Sequence, residues 1–308
     1  MILSSQLVDY TMDACKIGDM KLDINPASNY PLPDLTDFLN LSFENYLVPI
    51  QFNISQFVTM LRKDSIDLDS SRVLLIDDEP SGIALIARRG WTSRLAAMGI
   101  FRQMRGKGAG SWFMERLIQE ANQRNDREMV LEVIEQNGPA VQLYQILGFQ
   151  TVRRLVGFIH KDETANNGMG SLQEIDLREA GLLIVQHGLP DLPWQLSGET
   201  IAHMNPPVRA YCKGRAYAVI SNPEAEHVVI WSLLVDPNAR GNGLGVDILK
   251  SLAAKHPGKI WHVPAILPEE LGQVYEKAGF EKEKLSQWQM KIDLHELVGQ
   301  INNLPNTI

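Results

Sequence analysis

The chain has 308 residues, of which 44% are hydrophobic and 21% charged, a composition typical of a globular protein with about two domains. Its formal net charge of −8 and its pI near 5.4 argue against a general nucleic-acid binder. No apolar run approaches the roughly 20 residues of a membrane span, and the N-terminus lacks a signal-peptide pattern. Two cysteines far apart, Cys15 and Cys212, fit a reducing cytoplasm without disulfides or a metal site. We therefore expect a cytoplasmic protein with neither membrane nor nucleic-acid partners.

The first half of the chain divides clearly into predicted elements. Residues 1–35 show no strong pattern and are interpreted as an N-terminal extension. Periodicity and turn residues then predict, in order, two helical pieces within 32–62, a hairpin of strands at 72–78 and 83–90, a strand at 94–100, a Gly-rich turn at 105–110 followed by a helix, an apolar strand at 128–134, a capped helix from 137, and a long strand at 151–160.

The second half is predicted to be a shorter version of the first. Residues 160–171 are polar and rich in Gly and Asn, which is typical of a linker. The elements predicted beyond it are strands supplied by 210–221 and 227–235, a Gly-rich turn at 240–245 with a helix, a strand at 259–266, and a helix at 267–280. Residues 178–207 are where the second half departs from the first.

An internal repeat explains this order. The pattern Arg-Gly-x-Gly-x-Gly occurs at 105–110 and again at 240–245, which is 135 positions later (240 minus 105). "LYQILGF" at 143–149 is echoed by "VYEKAGF" at 274–280, and "LQEIDL" at 172–177 is more weakly similar to "WQMKIDL" at 288–294. Motifs that recur in the same order predict two copies of one fold. We place the copies at 36–170 and 171–308.

The Gly-rich turns are candidates for binding a phosphate group. The start of a helix has unpaired N–H groups and a partial positive charge, and glycines let the preceding turn approach a ligand closely. A strand, a Gly-rich turn and a helix therefore make a pyrophosphate site, to which Arg105 or Lys107 would add charge. Neither copy has the Lys-Ser/Thr of a mononucleotide loop, and Ser111 and Val246 stand where the dinucleotide motif needs its last Gly.

The pattern of Arg105, Gly108 and Gly110, followed at the expected distance by Asn137 and "AVQLYQILGF", resembles the GNAT acyltransferase superfamily. The resemblance covers about 36–160 and, more weakly, 205–294. It implies an α/β (α+β) fold with two GNAT-like domains, each with a central mixed, splayed β-sheet flanked by helices. It also implies acetyl-CoA or another acyl-CoA as co-substrate, with a bulge near 97–99 that exposes an N–H to the thioester carbonyl.

The same resemblance implies which residues hold the acyl-CoA. In the first copy they are Met98, Ile100, Arg105, Gly106, Lys107, Gly108, Ala109, Gly110, Asn137 and Tyr144. In the second copy they are Arg240, Gly241, Gly243 and Gly245.

Two residues are candidates for the acid and base of acyl transfer to an amine. Tyr144 lies where the superfamily places a tyrosine near the thioester sulfur, although a core tyrosine would look the same. No carboxylate is present at 94–100, and Glu132 is the substitute. Its spacing to Asn137 and Tyr144 resembles that of ribosomal-protein N-terminal acetyltransferases, in which the equivalent Glu is the base. A glutamate in a salt bridge is the alternative.

The acceptor is not identified by the sequence. Asn45, Tyr46, Trp91 and Arg94 are expected near the acceptor cleft, and each could equally be structural. In the second copy Tyr275 matches Tyr144, but Val263 and Pro268 stand in the places of Glu132 and Asn137, and the neighbouring His262 should face away.

We therefore expect the first copy to transfer an acetyl group to a primary amine of a small molecule or peptide. The second copy is expected to bind acyl-CoA weakly or only to shape the cleft. A non-catalytic acyl-CoA-binding or regulatory protein is the alternative. The sequence identifies neither the acyl chain that is transferred nor whether the protein is a homodimer.

Overall fold

The computed structural model describes residues 15–17, 20–161 and 172–294 of the chain. The strands are β1 (Cys15–Ile17), β2 (Met20–Pro26), β3 (Ile66–Ile76), β4 (Glu79–Arg89), β5 (Thr92–Ile100), β6 (Glu128–Ile134), β7 (Gln150–Lys161), β8 (Gln173–Ile175), β9 (Arg209–Lys213), β10 (Ala216–Ile220), β11 (His227–Val235), β12 (Ile260–Pro268) and β13 (Glu281–Asp293). The helices are α1 (Leu32–Ser42), α2 (Ile54–Lys63), α3 (Ala109–Gln123), α4 (Gly138–Ile146), α5 (Leu177–His187), α6 (Gly198–Ala202), α7 (Leu244–Lys255) and α8 (Gln273–Lys277). Short 3-10 helices lie at Ala27–Asn29, Arg102–Met104, Trp194–Leu196, Pro237–Ala239 and Glu269–Leu271.

The described strands form one 13-stranded sheet in the order β1-β2-β3-β4-β5-β6-β13-β7-β12-β11-β10-β9-β8. Read from either edge, β2 to β6 and β8 to β12 follow each other in the same chain order with the same pairings. In each half two helices lie between the first and second of these strands, and two more flank the last. The repeat seen in the sequence is thus a repeat of the fold, with a local two-fold arrangement about the centre of the sheet.

The centre of the sheet is made by exchanged strands. β13, from the end of the second half, pairs antiparallel with β6 on one side and with β7 on the other. β7, from the end of the first half, pairs in turn with β12. The two copies therefore share one continuous sheet, whereas the sequence predicted a separate sheet for each. Repeat spacing alone could not reveal this, because β7 and β13 each follow their own copy in sequence.

Helices cover both faces of the sheet, and each copy has a hydrophobic core on each face. In the first copy α3 and α4 pack over Leu74, Ile86 and Met290, and α1 and α2 pack over Val73 and Leu85. The second copy has corresponding cores under α7 and α8 and under α5 and α6. Alternate residues of one strand thus serve opposite cores, as expected for a sheet buried on both faces.

Most predicted elements are confirmed, and some boundaries change. Within the predicted extension, β2 is an integral strand that pairs with β3. Residues 178–207, which looked unlike the first copy, contain α5 and α6 in the places of α1 and α2. The helix predicted at 267–280 shortens to a 3-10 turn and α8. The "LQEIDL" echo is not structural, since β8 is an edge strand and β13 a central one. Of the predicted linker, 162–171 lies outside the described residues.

None of the helices in the described ranges is long and apolar enough to cross a membrane.

Because β13 belongs to both halves of the sheet, the two copies should unfold together. Ile292 on β13 is 3% exposed in the core of the first copy. Ile292→Ala is expected to cost about 2–5 kcal/mol of unfolding free energy. Hydrogen exchange should then accelerate in β4 and in β10 by similar factors, and heat unfolding should stay a single transition. Lys291→Ala, at an exposed position of the same strand, is the control. Faster exchange confined to β4 would contradict the shared unit.

Candidate active site

Two pairs of parallel strands separate part-way along their length and open gaps in the sheet. β5 and β6 are in register from the pair Thr92–Glu128 to the pair Leu95–Leu131, and we call the gap beyond them the first fork. β11 and β12 are in register from 227 to 229 and from 260 to 262, and the gap beyond them is the second fork. Each fork opens toward the Gly-rich turn of its own copy, because that turn follows directly after β5 or β11.

A bulge stands at the start of each fork. Against β4 the register moves from Leu85–Ala97 to Ile86–Leu95, so Ala96 is an extra residue. Against β10, Trp231 is the extra residue of β11 in the same way. The two bulges are 135 positions apart (231 minus 96), the offset of the Gly-rich turns. A bulge bends its strand, which accounts for the divergence. The sequence placed the first bulge at 97–99, slightly too far along.

The Gly-rich turns have the geometry of an anion site in both copies. Gly106 and Gly108 have φ of +76° and +84°, and Gly241 and Gly243 have +84° and +76°, a region that L side chains rarely adopt. Gly108 and Gly243 are the N-cap residues of α3 and α7, and no side chain caps either helix. The first-turn amides, including those of Ala109, Gly110 and Gly245, are therefore left to a ligand or to water, and they suit a pyrophosphate.

The guanidinium of Arg105 holds the first turn in place. Its Nε donates to the Ile100 carbonyl at 2.8 Å, and a terminal nitrogen donates to the carbonyl of Ser42, the last residue of α1, at 2.9 Å. A cation is favourable at the C-terminus of a helix. The charge of Arg105 is therefore used within the fold rather than directed at a phosphate. Lys107 is exposed and points toward the Met104 sulfur at 3.8 Å.

Arg240 makes the equivalent contacts in the second copy. Its Nε donates to the Val235 carbonyl at 3.1 Å, and a terminal nitrogen donates to the carbonyl of His187, the last residue of α5, at 2.7 Å. The Arg of the repeated motif thus has the same structural function in both copies. Both turns are consequently held by equivalent hydrogen bonds, although the side chains in the two forks differ.

Glu132 lies at the closed end of the first fork, one residue beyond the last pair of β5 and β6. Both Nε and a terminal nitrogen of Arg94 contact its Oε2 at 2.8 Å, and the two side chains are only 5% (Arg94) and 3% (Glu132) exposed. The salt bridge that the sequence left as an alternative is therefore present. Yet Oε1 of Glu132 is buried and has no hydrogen-bond partner. Half of the carboxylate is still available to a donor that enters the fork.

Asn137, Tyr46 and Tyr144 come together at the open side of the first fork. Asn137 caps α4 by accepting from the Ala140 amide at 3.4 Å, and its Nδ2 donates to the Tyr46 hydroxyl at 3.3 Å. Tyr144 is 9% exposed and packs edge-on against Phe149. Burial, with a smaller effect of the nearby Tyr46, raises the pKa of the Tyr144 phenol above its ordinary value. It is therefore a proton donor, not a phenolate, at neutral pH.

The other predicted residues are distributed unevenly around this site. Met98 and Ile100 lie in the diverging part of β5 and pack on the core under α3 and α4. Asn45 is exposed beside Tyr46 and has a φ of +54°. Trp91 is 59% exposed, before the paired end of β5, with the Arg127 guanidinium 3.1 Å from its ring centroid. The structure therefore does not bring Trp91 to the fork.

The second fork contains a cavity of about 470 Å³. Its lining includes Arg240, Gly241, Gly243 and Gly245 of the Gly-rich turn, Tyr275 of α8, and Gly188, Leu189, Leu192 and Leu196 after α5. Its walls are mostly apolar and include Leu189, Leu192, Trp231, Leu233, Leu267 and Val274. The volume is within the usual range for small-molecule sites. The sequence expected this copy to be the poorer site and gave no sign of a cavity.

The second fork lacks the polar pair of the first. The strand registers correct the sequence match: Pro264 occupies the place of Glu132, while Val263 corresponds to Leu131 and is 2% exposed in the core under α7 and α8. His262 is hydrogen-bonded to His227 at 2.8 Å at the paired end of β11 and β12, and burial lowers the pKa of His262. The prediction that His262 faces away is wrong, because His262 corresponds to Val130 and lies on the same face as the place of Glu132, two residues nearer the paired end. Within the described ranges no three His, Cys, Asp or Glu side chains are grouped to hold a metal ion.

Sequence reasoning missed contacts in which the second copy reaches the first. Gln289 of β13 lies directly opposite Glu132 of β6 and donates from Nε2 to the Asp191 carbonyl at 3.0 Å. Trp194 donates to the Asp64 carbonyl at 2.7 Å, and its ring lies 4.1 Å from the Arg89 guanidinium. No sequence signal for these contacts existed, since they join residues about 100 or more positions apart in the chain.

Comparison with known proteins agrees with this geometry. Residues 34–149 match the model of the acetyltransferase (GNAT) family. Among solved structures, a tandem GNAT protein from the clavulanic acid biosynthesis pathway has a TM-score of 0.60 at 15% identity, covering 89% of this chain and 98% of its own. A GCN5-related N-acetyltransferase from Sphaerobacter thermophilus has a TM-score of 0.63 at 12% identity, covering 89% and 96%. No protein of curated function matches the sequence at a significant level.

Proposed function

From the premise that residues 34–149 form a domain of the GNAT acetyltransferase family, within a chain that has the fold of tandem GNAT proteins, we propose that the first copy is an acyl-CoA-dependent N-acyltransferase acting on a primary amine. The observation that carries the proposal is the unpartnered Oε1 of Glu132, buried at the closed end of the fork. Glu132 lies beyond the last pair of β5 and β6, on the face of the sheet that α1 and α2 cover. We call this face the acceptor face, because the amine is proposed to approach from it.

The residues present fit an acyl-CoA. The amides of 106–110 suit its pyrophosphate, and the diverging edge of β5 at Met98 and Ile100 suits its pantetheine arm. Acetyl-CoA, when bound, supplies an activated acyl group whose leaving group is a thiolate. The base that deprotonates the amine and the acid that protonates the thiolate are side chains of the protein.

Glu132 is the proposed base. An incoming ammonium group loses a proton toward Oε1, and the amine nitrogen then forms its bond to the acyl carbon as the carbon–sulfur bond breaks. Of the three ammonium protons one stays on the amide, one ends on the thiol sulfur and one leaves to solvent. Arg94 keeps the buried carboxylate compensated, since an isolated charge there would be costly.

Tyr144 is the proposed acid. Its buried phenol lies beside Tyr46 and Asn137, on α4 at the side of the fork opposite the acceptor face. A phenol with a raised pKa keeps its proton until the thiolate forms, and it is reprotonated from the amine side.

Thiol release from acetyl-CoA tests the function directly. The acceptors to be screened are polyamines, aminoglycosides, amino acids and peptides. We expect thiol release with at least one primary amine. CoA that protects against heat unfolding without thiol release from any acceptor would instead favour the alternative, an acyl-CoA-binding regulatory protein.

Removing the base should separate catalysis from folding. Glu132→Gln leaves the buried Arg94 uncompensated, so it should lose about 3–5 kcal/mol of stability and at least about 100-fold in turnover. The double variant Glu132→Gln with Arg94→Gln should recover stability, measured by denaturant unfolding, without recovering thiol release. Recovery of turnover in the double variant would remove Glu132 from the role of base.

Removing the acid should affect turnover and not CoA binding. Tyr144→Phe is expected to lower kcat by about 100-fold with little change in CoA affinity. Tyr275→Phe, at the equivalent position of the second copy, is the matched control and should leave kcat unchanged.

Because burial raises the pKa of Tyr144 above about 10, the wild-type kcat should not fall from phenol ionisation below that pH. A decrease of the wild-type kcat between neutral pH and pH 10 that is absent from Tyr144→Phe would contradict this.

The second copy is a further acyl-CoA site in this proposal, because its cavity joins an uncapped helix start to an apolar passage. No carboxylate stands in the place of Glu132, and Glu270, which lines the cavity, is paired with Arg153, so binding without transfer is the function that the residues of this copy favour.

Two matched variants distinguish the two proposed CoA sites. Calorimetric titration of the wild type with CoA should give two sites per chain. A β-branched side chain is strained at positive φ, so Gly108→Val and Gly243→Val should each leave one site. Only Gly108→Val should abolish thiol release. Loss of release in Gly243→Val, with retention in Gly108→Val, would move catalysis to the second copy.

A further inference from the structure

We infer that Gln289, a residue of the second repeat, determines the acceptor specificity of the first: its side-chain oxygen and Oε1 of Glu132 together receive the two N–H groups of a primary amine. The inference rests on the proposed function and names a part of the same site.

Two buried oxygens without partners carry this inference. Oε1 of Glu132 and Oε1 of Gln289 are both buried, and neither has a hydrogen-bond partner within the described residues. Gln289 is 5% exposed and the Glu132 side chain 3%. A buried polar atom without a partner costs about 1–3 kcal/mol, so a fold that keeps two of them together needs a reason.

The strand pairing places the two side chains that carry these oxygens on neighbouring strands and on one face of the sheet. Glu132 and Gln289 are direct partners in the antiparallel pair of β6 and β13, so their side chains are on one face of the sheet with Cβ atoms about 4.5–5.5 Å apart. Their neighbours Leu131, Val133 and Met290 enter the core under α3 and α4, which leaves Glu132 and Gln289 on the acceptor face. Glu132 is the first residue of β6 beyond the last pair of β5 and β6, so a group that reaches the closed end of the first fork on this face meets Glu132, with Gln289 on the next strand beside it.

The orientation of the Gln289 amide is fixed. Its Nε2 donates to the Asp191 carbonyl at 3.0 Å. Turning the amide over would set two oxygens against each other and leave the NH₂ group without this acceptor. The free end of the amide is therefore an acceptor, as is the free oxygen of Glu132. Arg94 already saturates Oε2 of Glu132, so the remaining pair is complementary to a ligand that offers two donors.

A primary amine is such a ligand. Its nitrogen carries two N–H groups in the neutral, attacking form, and hydrogen bonds from both to Glu132 and Gln289 would direct the lone pair away from these oxygens. An N-methyl amine has one N–H fewer and leaves one oxygen unpaired. The pair should therefore select primary over secondary amines.

Gln287 supplies a matched control. It lies two residues before Gln289 on β13, and its Nε2 donates to the Ala265 carbonyl at 2.9 Å. It lies opposite Ile134 rather than Glu132. Gln287→Met and Gln289→Met thus each remove one amide of the same kind from the same strand, and only the second removes the oxygen beside Glu132.

The test compares butylamine and glycinamide with their N-methyl derivatives as acceptors. In the wild type and in Gln287→Met, kcat/KM should favour the primary amine. In Gln289→Met, KM for the primary amine should rise about tenfold at nearly constant kcat, and the preference should fall by a similar factor. Gln289→Leu should behave likewise if Gln289→Met folds poorly. An unchanged preference in the Gln289 variants overturns the inference and leaves the transferase function intact.

Binding of the same amines to the CoA-bound protein gives a readout independent of turnover. If no acceptor releases thiol, the proposed function fails, and calorimetry then decides the inference. Butylamine binding weakened about tenfold by Gln289→Met but not by Gln287→Met supports the amine site. Equal binding by both variants, or none by the wild type, overturns it.

Discussion

The pairing of β13 between β6 and β7 is the constraint on which the rest of the molecule depends. It joins the two repeats into a single sheet and supports each fork from behind, because an exchanged strand pairs with β6 and with β12 on the side away from the fork. β13 continues the sheet beyond β6, and β7 continues it beyond β12. Neither copy therefore has a complete sheet within its own stretch of sequence. This explains why a residue of the second repeat, Gln289, can face the candidate base of the first.

The two copies preserve the same framework and differ in what fills it. The bulges, the left-handed glycines and the arginines that bind the preceding helix ends recur at equivalent positions. The forks differ in polarity: the first is crossed by Arg94 and Glu132, while the second has Pro264 in the place of Glu132 and the bulge residue Trp231 on the wall of a mostly apolar cavity. Charged groups can perform proton transfer, and an apolar passage favours the binding of an apolar arm. The proposed difference in function between the two copies therefore rests on a few side chains and not on the backbone.

The sequence predicted the features that are encoded locally. Apolar spacing located most helices and strands, and the Gly-rich motif with Asn137 and Tyr144 located the candidate site, because turn and cap chemistry involves residues close in the chain. The exchanged strands, the Arg94–Glu132 bridge and the cavity of the second fork depend on contacts between residues distant in sequence. Alternation along β13 shows which residues share a face, but it cannot show that the facing strand is β6. The partnership of Gln289 and Glu132 could therefore not be predicted.

The segment 188–196 contacts both the cavity of the second fork and the side chain of Gln289. Leu189 and Leu192 line the cavity of the second fork, while the Asp191 carbonyl between them holds the amide of Gln289. Trp194 in the same segment is hydrogen-bonded to Asp64 of the first copy. Because neighbouring residues of one short segment face both sites, its conformation is common to the wall of the second cavity and to the acceptor face of the first. The second repeat therefore supports the proposed acceptor site of the first, although it has no carboxylate in the place of Glu132.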